Sequence, residues 1–479
     1  GDLEKSTSGL YRSLLLQLLE KAPETQHILD YYGTSGYNAI KEASNWPDEM
    51  LREVFTRALE KLGNRRIVCY IDALDECPED EIRDMISFFE QLGDLEKEVE
   101  FRVCFSSRHY PEITIRTGLE LVLELEEDHK NDITLYIDNH LKVGTSTQAE
   151  EIKAEILVKS SNIFLWVAMV ILILNKEYDR GRIKALKKRL REIPTGLHEL
   201  FLDILTRDNK NIAELLICIQ SILFAARPLR PDELRCAVEA GSEDDPLDGP
   251  CDPAQMTADN LRRFVLDASK GLAEITKSSE PTVQFIHESV RDFLLKDGGL
   301  QKLLPTTENF EGQGHDTLKR ICSLQLSLRT ARMGALDAAR NERTRWLPDP
   351  DWAQEYPLLQ YAVEHIYFHA NWAQKLGLDQ TAFLETFDTP AWMLARTYSN
   401  EPRYGLRPHL LYFLGEYGCA DLIRIHPERD KHFQLEGGQL KYIYGGNSAA
   451  ASAFVNLSSL HDGPQLIQRK RDLSPQYYD

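Results

Sequence analysis

The sequence predicts an α/β region up to about residue 125, followed by an almost wholly helical remainder. Five residues from Ile67 to Ile71 form an apolar run that leads directly into acidic residues. Up to residue 125 such runs alternate with amphipathic helical patterns, whereas beyond residue 129 helical periodicity prevails, apart from a short β-hairpin near residues 272–285. This order of elements is typical of a parallel sheet with helical crossovers, joined to all-α domains.

Two amphipathic helices and three strands are predicted in the α/β region. A helix over 47–62 leads to the strand at 66–71, and a second helix over 79–92 leads to a strand at 101–106. Pro47 suits the first turn of its helix. A third short strand is predicted near residues 121–125. Because each crossover is long enough to contain a helix, the strands are expected to be parallel.

Three carboxylates follow the first strand: Asp72, Asp75 and Glu76. Acids at the carboxyl end of a buried parallel strand are the Walker B arrangement, which supplies Mg²⁺ ligands and a water-activating base to a bound nucleotide. The alternative interpretation is that these carboxylates only cap the helix that begins near Glu79, where the helix dipole favours negative charge.

The second strand ends in two serines and Arg108, and this pair of strands resembles the NACHT class of STAND nucleotide switches. The resemblance is to the form found in fungal non-self-recognition proteins and shared with the nephrocystin-3 N-terminal domain. It implies that Asp72 holds Mg²⁺ through water, that Asp75 and Glu76 position or deprotonate the attacking water, and that Arg108 contacts the γ-phosphate. Asp72, Arg108 and a histidine described below would bind the nucleotide.

No G-x-x-x-x-G-K-[ST] phosphate loop occurs in the sequence, and Gly33-Thr-Ser-Gly36 has neither its spacing nor its lysine. The family's sheet would have five strands with the phosphate-loop strand in the middle, so that two strands lose their shared neighbour. We therefore expect an incomplete P-loop NTPase sheet in a chain that begins just inside the domain. The expected cofactor is ATP or GTP with Mg²⁺ in the full-length protein, and none bound by this chain alone.

The resemblance divides the chain into four parts. These are a partial nucleotide-binding domain (1–127), a small helical domain (128–193), a winged-helix domain (194–300) and a helical region with a degenerate ankyrin-like unit and a polar tail (301–479). In the winged-helix part, the resemblance places His287 where the family's histidine reaches the β-phosphate of ADP. The alternative is a histidine that only packs within its helix.

Composition excludes several functions. The net charge is −20, which argues against a protein that binds nucleic acid through its phosphates. Eight cysteines without a C-x-x-C pair indicate a reducing compartment, and a cytoplasmic location is expected. The apolar run 163–174 spans about 18 Å as a helix, which is too short to cross a bilayer.

His365 and His369 are four residues apart, but Ile366 stands where a metalloprotease motif needs glutamate, so no metal site is predicted there.

Two functions from different classes remain. The first is a fragment of a STAND-class signalling NTPase, a nucleotide-dependent switch in fungal non-self recognition or vegetative incompatibility, with protein partners and homo-oligomerisation on activation. The second is a nucleotide-independent interaction scaffold, a decayed or truncated relative. The presence of a phosphate loop in the full-length product distinguishes them.

Overall fold

The computed structural model describes residues 6–32, 46–63, 65–74, 77–94, 100–107, 115–116, 118–144, 146–179, 183–207, 211–242, 256–304, 309–339, 355–398, 409–429, 433–436, 439–442 and 454–455. The chain forms two compact units that meet in sequence between Val122 and Leu123. Each is considered separately below.

The first unit contains three α-helices and a two-stranded parallel sheet in its described part. In chain order these are α1 (Thr7–Lys21), a 3₁₀ helix (Pro23–Tyr32), α2 (Asp48–Glu60), β1 (Arg66–Ile71), α3 (Glu79–Asp94) and β2 (Glu100–Phe105). Strands β1 and β2 pair directly, with Arg66 opposite Glu100 and Ile71 opposite Phe105. The two predicted strands and the two predicted helices are therefore confirmed. The expectation that two strands lack a shared neighbour does not describe β1 and β2, because they are direct neighbours.

The helices cover one face of this sheet. Their inward side chains are those that the helical spacing predicts, and the core contains Leu51, Val54, Phe55, Ala58, Leu59, Leu62, Ile82, Met85, Ile86, Phe89 and Leu92. From the sheet, Cys69 and Ile71 point into this core, whereas Val68 is 40% and Tyr70 is 78% exposed on the opposite face. The described residues thus form a sheet with one helical layer, although parallel sheets are ordinarily covered on both faces.

The prediction of a third strand near residues 121–125 is wrong. Leu123–Leu125 forms a 3₁₀ turn, and alternate leucines before and within it are exposed by 58–103%: Leu119, Leu121, Leu123 and Leu125. The period-2 pattern that indicated a strand is present, but a strand also needs a neighbour to satisfy its backbone. Without such a neighbour among the described residues, the backbone bonds locally, with the Glu126 amide donating to the Leu123 carbonyl over 3.1 Å.

The second unit is mostly helical. Its helices are α4 (Glu127–His140), α5 (Thr147–Lys159), α6 (Phe164–Asp179), α7 (Ile183–Glu192), α8 (Leu197–Thr206), α9 (Ile212–Phe224), α10 (Pro231–Ser242), α11 (Ala258–Ala268), α12 (Glu288–Leu295), α13 (Gly299–Leu303), α14 (Phe310–Ala339), α15 (Leu359–Lys375), α16 (Thr381–Thr386), α17 (Thr389–Tyr398), α18 (Leu410–Glu416) and α19 (Ala420–Ile425). None of the helices within the described ranges is long and apolar enough to cross a membrane.

Helix α6, which contains most of the apolar run 163–174, is held in the core by polar contacts at its start. Ser161 and Asn162 adopt left-handed backbone angles in the turn that precedes it. The Asn162 side-chain amide donates to the Glu124 carbonyl over 2.8 Å, and the Trp166 indole N–H donates to the Pro194 carbonyl over 2.9 Å. Trp166 is fully buried. The polar turn therefore fixes the direction in which the apolar helix enters the core.

Two small sheets interrupt the helical unit. Strands β3 (Ala273–Ile275) and β4 (Val283–Phe285) form the predicted antiparallel hairpin after α9, α10 and α11. Strands β5 (Phe433–Glu436), β6 (Gln439–Tyr442) and β7 (Phe454–Val455) form a second antiparallel sheet in the order β5-β6-β7. This second sheet departs from the predicted helical C-terminal region. Its sequence alternates apolar and polar residues on either side of two glycines, which is typical of a β-hairpin.

Candidate functional site

The candidate site lies where β1 and β2 end. Because the strands are parallel and adjacent, their carboxyl ends meet at the same edge of the sheet. The Ser106 hydroxyl donates a hydrogen bond to the Asp72 carboxylate. The Ser106 amide donates to the Ile71 carbonyl over 2.9 Å, which continues the ladder to the tips of the strands. The sheet therefore holds an exposed acid and a hydroxyl together.

The chain turns sharply immediately after Asp72. Ala73 has φ 55°, in the left-handed region that residues with a Cβ rarely adopt. Its amide donates to the Ser106 hydroxyl over 3.1 Å, and the next amide, that of Leu74, donates to the Ser106 carbonyl over 3.0 Å. Leu74 is only 1% exposed. Ser106 and the buried Leu74 thus hold the turn in a conformation that alanine alone disfavours.

Replacing Ala73 with glycine is expected to stabilise the first unit by about 1 kcal/mol, because glycine adopts this backbone conformation without the Cβ penalty. Hydrogen exchange of peptides that contain β1 and β2 measures the change. Ala154→Gly is the control, because Ala154 is exposed within α5 and the same substitution in a helix costs about 1 kcal/mol. Loss of protection in β1 and β2 on Ala73→Gly would contradict this account of the turn.

Three of the predicted site residues, Asp75, Glu76 and Arg108, lie outside the described residues. Their proposed roles remain predictions. Asp72 lies at the strand tip that the sequence indicated, and it is exposed. The two serines precede Arg108 at the end of the second strand. In the structure the hydroxyl of one of them, Ser106, bonds to Asp72 and to the Ala73 amide.

His287 lies in the second unit, between β4 and α12. It is the N-cap of α12 rather than a residue inside the helix, with extended backbone angles of φ −161° and ψ 148°. Its Nδ1 atom accepts a hydrogen bond from the Ser289 amide over 3.1 Å, and the ring is exposed. Since an accepting Nδ1 carries no proton, the neutral ring has its proton on Nε2, which is a hydrogen-bond donor. The alternative of a packing histidine within a helix does not describe this position.

Comparison with known proteins gives two matches. Residues 2–108 match the family described as nephrocystin 3, N-terminal. The vegetative incompatibility protein HET-E-1 of Podospora anserina is 28% identical over 308 residues, which are 60% of this chain and 21% of that protein. The chain is thus related to the NACHT-type STAND proteins. The match covers about a fifth of the relative's length.

The family match ends at Arg108, shortly after β2, so it includes the whole candidate edge of the sheet. The oxygen atoms at that edge are suitable ligands for a hydrated Mg²⁺ ion. Asp72 is an exposed carboxylate, and a carboxylate has about four acceptor positions, of which the Ser106 hydroxyl occupies one. Mg²⁺ prefers one or two carboxylates and keeps several waters. The amides of Ala73 and Leu74 are already bonded to Ser106, so they are not donors for a phosphate.

Two contacts of the structure are not apparent from the sequence patterns. One is the bond between Ser106 and Asp72, which depends on the direct pairing and the register of β1 and β2. The other is the contact of His315 with His369 in the second unit. Nothing in the sequence around His315 indicates that contact, because the two residues are 54 positions apart.

Proposed function

We propose that the longer protein of which this chain forms part is a nucleotide-dependent signalling switch. The observation that carries the proposal is the exposed Asp72 at the tip of β1, bonded to Ser106 at the tip of the adjacent parallel strand, within the segment that matches the nephrocystin-3 N-terminal family. The name of the matched relative supports a role in fungal vegetative incompatibility. We place the protein in the cytoplasm; the seven cysteines in the described part are not in disulfides, which is in keeping with this.

In this proposal Asp72 would hold Mg²⁺ through water, and ATP or GTP would be the substrate whose γ-phosphoryl group is transferred to water, with the nucleoside diphosphate as leaving group. Asp75 and Glu76 orient the attacking water and accept its proton, and Arg108 neutralises charge on the γ-phosphate. A second-strand serine that bonds to Asp72 keeps the carboxylate in one orientation. Such positioning and charge stabilisation provide most of the catalysis in phosphoryl transfer.

The second unit would report the nucleotide state. Helices α9, α10 and α11 followed by the β3–β4 hairpin are in the order of a winged helix, and His287 follows that hairpin directly. The Nε2–H of His287 would donate to the β-phosphate of ADP and hold the closed state. The helix-turn-helix formed by α18 and α19 is proposed to be a degenerate ankyrin-like unit. Nucleotide exchange would then release protein-binding surfaces and permit homo-oligomerisation.

Calorimetric titration with Mg²⁺·ADP tests this function. We expect no measurable hydrolysis and at best weak binding by this chain alone, because a phosphate loop provides most of the phosphate contacts. In an extended product that contains such a loop, we expect binding that Asp72→Asn weakens. Glu76→Gln should leave binding intact and slow hydrolysis by about 100-fold or more. If no extended product binds nucleotide, the interaction scaffold is the better function. Tight binding by the chain alone would place the nucleotide elsewhere.

A further inference from the structure

A chain of three buried side chains joins α14 to α15. The Tyr361 hydroxyl lies 2.7 Å from Nε2 of His369, and Nδ1 of His369 lies 3.0 Å from Nδ1 of His315. Tyr361 and His369 belong to α15 and His315 belongs to α14. The three residues are at most 4% exposed. None of these three residues is among those proposed to bind the nucleotide.

The hydrogen bonds favour one arrangement of the protons. The Tyr361 oxygen accepts from the Ala226 amide over 2.9 Å, so its own proton is available to His369. His369 then accepts at Nε2, carries its proton on Nδ1 and donates to Nδ1 of His315. Each of the two hydrogen bonds contains one proton. An additional proton would either place two N–H groups against each other or leave the Tyr361 proton without its acceptor, and both outcomes are costly in a buried position.

The surroundings also oppose a charged imidazole. Phe224 from α9, together with Phe368 and Trp372 from α15, packs around the ring of His315, and burial lowers its pKa to about 4. Burial, followed by the charges of His315 and His365, holds the pKa of His369 well below its usual range.

The charged groups near this chain favour neutral histidines as well. The Arg227 guanidinium lies 5.2 Å from the centre of the Tyr361 ring and is paired with the buried Glu233 of α10. Burial and then the charge of Arg227 lower the pKa of His365 to about 4. The Nε2 atom of His365 lies 3.6 Å from a carboxylate oxygen of Glu364 on the same helix. From α14, Cys322 also faces Tyr361, and burial keeps that thiol neutral by raising its pKa.

We propose that the Tyr361–His369–His315 chain is an acid-sensitive lock, which holds α14 against α15 at neutral pH and releases them when the histidines become protonated. The sign of the effect follows from the two states. In the closed state the histidines titrate below the 6.5 of the open state, so the open state binds more protons. The stabilisation is therefore complete above pH 6.5 and is lost as the pH falls toward about 4.

The expected pH dependence of opening follows from the titration of each histidine. Each histidine that is neutral when closed and titrates at about 6.5 when open increases the opening equilibrium by roughly 25-fold between pH 7 and pH 5. Two released histidines give roughly 600-fold. Release of His365 together with them would increase this value further.

Hydrogen-exchange mass spectrometry of the whole chain at pH 7 and pH 5, corrected for the intrinsic exchange rate, measures the opening. We expect peptides from α14 and α15 to lose protection by several hundred-fold relative to peptides from α6, whose sequence contains no histidine. A ratio between the two regions that does not change with pH would overturn the proposal in the unaltered protein.

Two variants make the assignment specific. In His315→Gln the amide oxygen can accept from His369 but does not titrate, so the response should fall from roughly 600-fold to roughly 25-fold. His198→Gln is the matched control, because His198 lies in the same unit with its side chain 48% exposed, and it should retain the full response. A full response in His315→Gln would show that the lock is not at this chain. If His315→Gln does not fold, the comparison between helices in the unaltered protein still decides.

Discussion

Replacing Glu233 with glutamine is expected to destabilise the second unit by about 3 kcal/mol, because it removes the charge of a fully buried carboxylate and leaves Arg227, which is 33% exposed, without its counter-charge. The Glu233 side chain is fully buried at the start of α10. Its carboxylate accepts from both terminal nitrogens of Arg227, over 2.8 and 2.7 Å, and from the Arg230 amide over 2.7 Å. This hydrogen bonding to Glu233 raises the pKa of Arg227. A glutamine would keep the shape but turn an N–H₂ group toward these donors.

Glu239→Gln on the same helix is the control. Glu239 pairs with Arg235 over 2.7 Å, but its side chain is 27% exposed, and pairs that reach solvent contribute about 1 kcal/mol or less. Hydrogen exchange of peptides from α9, α10 and α15 in increasing denaturant gives the local free energy of opening for each variant. If Glu233→Gln costs no more than Glu239→Gln, the buried pair does not stabilise this region in the way its geometry indicates.

In the extended, nucleotide-binding product, His287→Ala is expected to weaken ADP binding by roughly 10- to 150-fold, the effect of losing a hydrogen bond to a charged acceptor. The same bond biases the switch toward its closed state, so the variant should also become open or oligomeric in the presence of ADP. Calorimetry measures the affinity, and size-exclusion chromatography with ADP present measures the oligomeric state.

The structure shows that His287→Ala removes a helix cap as well, so a second variant is needed. Asparagine is a good N-cap and can accept from the Ser289 amide as His287 does, but its shorter side chain lacks the imidazole Nε2–H. If the imidazole contacts ADP, alanine and asparagine should weaken binding equally. If His287→Asn binds ADP like the unaltered protein, the histidine acts only as a cap, and its nucleotide role is wrong.

Local sequence patterns were sufficient for the elements that carry their own apolar face. Helices α2 and α3 have helical apolar spacing, and their predicted faces are buried in the core of the first unit. Strands β1 and β2 are short apolar runs bounded by polar residues, and both lie where they were predicted. The sequence also located Asp72 at the end of β1. These features depend on residues close together in the chain, where the periods of helices and strands are informative.

Tertiary structure decided the features that depend on a distant partner. The leucines from Leu119 to Leu125 have the pattern of a strand but lack a neighbouring strand among the described residues. Ser106 reaches Asp72 only because β1 and β2 pair in one particular register. His287 acts as a cap because a hairpin ends immediately before it.

The buried histidine chain is the clearest example. His369 was noted in the sequence only for its spacing from His365, a pattern that predicted no site. Its actual partners are Tyr361 two turns away and His315 on another helix. Helical periodicity predicts which residues face inward, but it does not predict which inward residues of two helices meet. That depends on how the helices pack against each other, and the packing places these groups within hydrogen-bond distance where water cannot replace a missing partner.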